Sequence, residues 1–170
     1  MNFIQDFAGF IQYFRNIKER STYFKFFESG GTEKIVSERL VADLRGRVQY
    51  PVLFLEWPFL HLADYGSSNT QVNFRSAFVV LENPPKDDWA KQDQAMQRSF
   101  GAVTQVLGQM KTDTAGLNKQ FLHFDLSKVN VDPIDNLLID NAFGWRCEFE
   151  LVNPLNISST PYCRDLSFWK

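Results

Sequence analysis

Two histidines, two cysteines and a scatter of carboxylates are the side chains here that could carry out chemistry. A nucleophilic triad needs a histidine close to a serine or cysteine and an acid to orient it. His61 sits in the apolar run WPFLHLADY, and His123 alternates between Leu122 and Phe124, so each reads as a satisfied structural histidine. Cys147 and Cys163 form no CxxC pair. A disulfide between them is open in principle, but free thiols are the expectation for an intracellular chain. Asp132, Asp135 and Asp140 in VDPIDNLLIDN loosely resemble an oxygen-ligand loop. They lack the alternating ligands, central glycine and closing glutamate of a calcium-binding hand, so no metal is expected. The sequence contains no GxSxG, HExxH, phosphate-binding glycine loop or GxGxxG, and Gly30-Gly31 is a bare doublet. The expectation is a non-enzyme with no catalytic residue, metal or cofactor. Asn156-Ile157-Ser158 matches a glycosylation acceptor, but without a secretory signal it carries no weight.

The elements that must position these groups come from periodicity. Phe3, Phe7, Phe10, Phe14 and Ile17 recur at helical spacing, which predicts an amphipathic helix over 2–20. A short strand is expected at 22–27, a short helix at 37–44 ended by Gly46, and a strand over 48–57 marked by Pro51 and Pro58. The polar loop 64–70, which contains Asn69, leads into a strand over 71–82. Asp87 or Asp88 can then cap a long helix over 88–111, whose apolar set is Trp89, Met96, Phe100, Val103, Leu107 and Met110. Gly101 and Gly108 inside that helix suggest close packing on a sheet.

Strands follow at 121–126 and 142–152. The last alternates cleanly, with Trp145, Cys147, Phe149 and Leu151 facing one way and Arg146, Glu148 and Glu150 the other. The charged row is either a solvated face or a rim for salt bridges between subunits. The order predicts one α+β domain over 1–154. A roughly four-stranded antiparallel sheet is packed by the N-terminal helix and the long central helix, with a C-terminal extension over 155–170. That extension ends in the apolar Leu166, Phe168 and Trp169.

Composition narrows the classes. A chain of 170 residues fits one domain with a real core. The net charge of −2 gives no basic footprint, so no sequence-specific nucleic-acid partner is expected. Apolar runs such as 52–55 are far short of the ~20 residues that span a bilayer. Polar residues interrupt the N-terminal apolar pattern, so neither a signal peptide nor a membrane partner is expected. With 17 Phe and 4 Trp, the chain is rich in rings; most are expected to fill the core, and a surplus also suits a protein that binds other proteins.

The runs VQYPVLFLE (48–56), RSAFVVLE (75–82) and NAFGWRCEFEL (141–151), with the long helix starting near Trp89, resemble the small tail-assembly proteins of long-tailed phages. Within that group the chain is most similar in pattern, over about 2–154, to the tail terminator (tail completion) proteins. The resemblance implies a structural virion protein of the tail or neck, assembled in the host cytoplasm. It would form a ring, typically a hexamer, on the head-proximal end of the tail tube. The ring would stop polymerisation and join the tail to the head, with the tube protein and head–tail connector proteins as partners. Asn69, Arg146, Glu148, Glu150, Phe168 and Trp169 are the expected interface residues. The alternatives are another head–tail connector (a stopper or adaptor), or an intracellular adaptor or small-ligand-binding domain whose rings would line a pocket.

Overall fold

The computed structural model describes residues 3–4, 6–31, 48–66, 70–115, 119–137 and 142–155. Helix α1 spans Phe7–Arg20. It starts later than its apolar pattern because Asp6 caps it, its carboxylate accepting the Gly9 N–H at 2.6 Å. The Ser21 hydroxyl then accepts the N–H groups of Tyr23 and Phe24, forming a turn that delays strand β1 to Phe26–Gly30. The helix expected at 37–44, with Gly46, lies outside the described residues.

The strand expected over 48–57 is realised as β2 (Val52–Glu56), and the chain then continues as β3 (Phe59–Asp64). Both pair antiparallel with β4 (Thr70–Glu82). Leu55 lies opposite Phe78 whereas Phe59 lies opposite Arg75, so one extra residue is accommodated around Trp57 and Pro58. Proline has no N–H to give the ladder, and a bulge is where a sheet tolerates it. Helix α2 spans Trp89–Thr112, and Asp88 is its cap, accepting the Lys91 N–H at 3.1 Å. The strand expected at 121–126 shrinks to β5 (His123–Phe124), followed by a 3-10 turn at Leu126–Lys128. Strand β6 (Asn130–Leu137) then makes a hairpin with β7 (Ala142–Pro154).

The α+β class holds: the described residues form two helices and a seven-stranded sheet in the order β1-β2-β4-β7-β5, where β3 also pairs with β4 and β6 with β7. Four strands were expected. Two were missed, since Pro58 hides the continuation into β3 and Pro133 disguises β6; the short strand expected at 22–27 is β1, shifted along the chain, and its place in the sheet is set by a partner distant in sequence. Nor is the sheet wholly antiparallel, since β1 runs parallel to β2 with Phe26 opposite Val52.

Both helices lie on one face of the sheet. Phe10 stacks on Phe74 at 5.1 Å between ring centroids, and Phe14 meets Phe149 at 5.5 Å. The Tyr13 hydroxyl donates to Asp113 at 2.8 Å, joining α1 to the end of α2. The buried stripe of α2 is Gln92, Ala95, Ser99, Ala102, Val103, Val106 and Met110. It is rotated from the stripe of large residues expected, and Trp89 and Phe100 stay exposed. Small side chains at 95, 99 and 102 bring the helix axis close to the sheet. Gly101 and Gly108 do not: a Cβ on either would meet nothing within 4 Å. The tight approach is at Gly144 on β7, where a Cβ would lie 1.8 Å from the Val80 carbonyl oxygen.

Candidate interaction surface

The opposite face of the sheet carries no helix among the described residues, and the expected charged row lies on it. Arg146, Glu148 and Glu150 share this face of β7, as alternation predicts. Arg146 is more than a rim residue. Its Nε and Nη2 donate to the two oxygens of Glu56 on β2, at 2.6 and 2.9 Å, and its Nη1 donates to Glu148. To do so it crosses β4, where Ala77, opposite Glu148, leaves room above the backbone. Glu56 is buried, so its carboxylate needs such a fork. Hydrogen bonding to Glu56, reinforced by Glu148, raises the Arg146 guanidinium above its ordinary value.

Further along β7, Glu150 accepts Asn73 Nδ2 at 3.1 Å and lies 3.6 Å from Arg75, whose side chain is 71% exposed. That exposure makes the Arg75 pair worth little. Asn73 Oδ1 is buried and has no hydrogen-bond partner. Lys128 from the 3-10 turn and Asn130 from β6 form one wall of a cleft over this row, and Trp57 and Phe59 form the other, enclosing about 480 Å³. The arrangement offers alternating charges flanked by rings, suited to polar and charged side chains of another protein.

The remaining expected residues divide clearly. Asn69, Phe168, Trp169 and Cys163 lie outside the described residues, as does Asp140. His61 and His123 are exposed on β3 and β5, so neither is a core histidine. Both strands sit at the margins of the sheet, where an apolar neighbourhood in sequence does not bury a side chain. Cys147 is a free, fully buried thiol, and burial pushes it up to about 12. Asp88 is spent on its cap and on Lys91, whose hydrogen bonds hold its carboxyl below the usual range.

Sequence reasoning missed Glu56, Arg75, Asn73 and Lys128. Glu56 had a signal: a carboxylate closing the buried run VLFLE must find a cation. A second feature also went unread. On β3 and its flanks Trp57, Phe59, Leu60, Leu62 and Tyr65 are 50, 76, 53, 57 and 67% exposed, an apolar margin beside the cleft. Among the described residues no helix is long and apolar enough to cross a membrane. No protein-family model, curated protein or solved structure matches the chain.

Proposed function

We propose that the chain is a structural assembly protein of a long-tailed phage. In this reading it forms a ring, a hexamer by the resemblance of its sequence pattern, on the head-proximal end of the tail tube. The ring stops tube growth and carries the surface on which the head docks. One observation carries the proposal furthest: on the sheet face that carries no helix among the described residues, an ordered row of Glu56, Arg146, Glu148, Glu150 and Arg75 lies beside a ring-walled cleft. Contacts around a closed ring are heterologous, so a subunit needs unlike surfaces that fit one another. A row of alternating charge fixes the register of such contacts more than it strengthens them. Asn69, Phe168 and Trp169 complete the proposed contact set. The chemistry of the cleft favours this over a small-ligand domain, because its floor is ionic where a ligand pocket is mostly apolar.

The test is electron microscopy of tail tubes assembled with and without the purified protein. The reading expects a ring on one end of each tube and a narrow length distribution. Tubes that stay uncapped and of scattered length would overturn it.

A further inference from the structure

We propose that two copies of this chain pair through β3, antiparallel about a twofold axis at His61, so that the sheet runs on from one copy into the other. The inference goes beyond the ring reading and does not depend on it.

Among the described residues, β3 pairs with β4 on one side and with nothing on the other. The pairing of β1 ends where the Trp57 N–H meets the Gly30 carbonyl at 2.8 Å. An open edge is a template for another strand unless it is blunted. The opposite margin is blunted, since β6 carries Pro133, which has no N–H, and the exposed Asp132. On β3 the only formal charge is Asp64, at its end.

The sequence of β3 names its partner. Phe59-Leu60-His61-Leu62-Ala63 is close to a palindrome, and antiparallel pairing of β3 with itself about His61 sets Leu60 opposite Leu62 and Phe59 opposite Ala63. Asp64 then faces Pro58, so no like charges oppose each other. An isologous contact of this kind needs self-complementarity, which a foreign partner would have no cause to meet. The area is also adequate. Five rings and leucines exposed by half to three-quarters offer on the order of 600 Å², at the upper end for a patch on a monomer and close to the roughly 800 Å² each partner gives to a stable complex.

Directly opposed residues have Cα atoms about 4.5–5.5 Å apart, within reach of a disulfide. The full chain carrying Cys163→Ser supplies the background, and His61→Cys or Asp64→Cys is added to it. Oxidation by air should link the His61→Cys variant into covalent dimers and leave the Asp64→Cys variant without a cross-link on a non-reducing gel. Light scattering should give the wild type twice the 19.8 kDa chain mass, and Leu60→Lys one chain mass with its circular dichroism unchanged. Any of three results would overturn the pairing: a monomeric wild type at its solubility limit, equal cross-linking of both cysteine variants, or an undiminished mass for Leu60→Lys. A dimer whose protein leaves tubes uncapped refutes the ring alone, and tube capping by a protein that never cross-links refutes the twofold alone.

Discussion

At the scale of the residue, the helix-free face turns on Arg146, the only side chain there that reaches two carboxylates on two strands among the described residues. Arg146→Met should lower stability by about 1–3 kcal/mol, since it removes charge-assisted hydrogen bonds around a buried glutamate. Glu148→Gln, at a half-exposed position, should change it by less than about 1 kcal/mol. Urea midpoints of the two variants check the ratio, and equal losses would place the energy of the row at its rim. Cys147 makes a second prediction. Its thiol should stay unreactive toward a disulfide reagent until urea unfolds the chain. Its folded pKa is raised, so its contribution to stability is whole below the ordinary value of 9.0 and is lost as pH rises toward about 12. Burial, with Asp113 beside Tyr13 and Glu82 beside Tyr23, raises both phenols, so they act in the same direction. Denaturation followed from neutral into alkaline pH should show falling midpoints, with a shallower fall in Cys147→Ala. The facing of Arg146, Glu148 and Glu150 could be read from alternation alone. That Glu56 would be the partner of Arg146 could not, because the two lie 90 residues apart and only strand register brings them together.

At the scale of the element, the sequence is most legible where one period runs long and uninterrupted. α1, α2, β4 and β7 were all visible that way, and their bounds shift only by the reach of a cap or a ladder. The burial of α2 was misread because large apolar residues were taken to mark the inner face. A helix lying close on a sheet instead turns its small residues inward and leaves Trp89 outside. The two readings predict opposite outcomes. Ala95→Leu should destabilise by about 1–3 kcal/mol, because no space exists for the added carbons. Trp89→Ala should fall within about 0.5 kcal/mol of the wild type. Thermal melts of the pair decide it. A heavy loss at Trp89 with tolerance at Ala95 would restore the face that the periodicity suggested. β3 and β6 escaped notice for a different reason, since β3 follows Pro58 and β6 contains Pro133, and a local reading takes a proline as an end. Whether the chain resumes pairing beyond a proline depends on a neighbouring strand, here β4 or β7, and no window of local sequence contains that neighbour.

At the scale of the whole molecule, three distant segments are fastened at one point. Asn153 on β7 donates from Nδ2 to the carbonyls of Ile4 and Gln120, and its Oδ1 accepts the Leu122 N–H at 2.8 Å. Beyond it, the Leu155 N–H still meets the Thr70 carbonyl at 2.8 Å, so backbone bonding to β4 runs through to the last described residue. The boundary expected from the sequence, between a domain over 1–154 and an extension over 155–170, makes a prediction at the same place: folding and assembly should separate there. A chain ending at Leu155 keeps the sheet, both helices and the Asn153 fastening, and should melt within a few degrees of the full chain. The same truncation removes Phe168 and Trp169, the rings assigned to assembly, and should abolish the capping of tail tubes. A chain ending at Val152 loses Asn153 as well, which strips the Ile4 carbonyl of its partner and leaves the Gln120 carbonyl and the Leu122 N–H with one partner each, and should lose about 1–3 kcal/mol relative to the chain ending at Leu155. Melting curves and electron microscopy of the two truncations separate the effects. If the chain ending at Leu155 still capped tubes, the assembly surface would lie wholly on the sheet, with the Arg146 row as its centre. If that chain unfolded, the extension would belong to the core and the boundary would be misplaced.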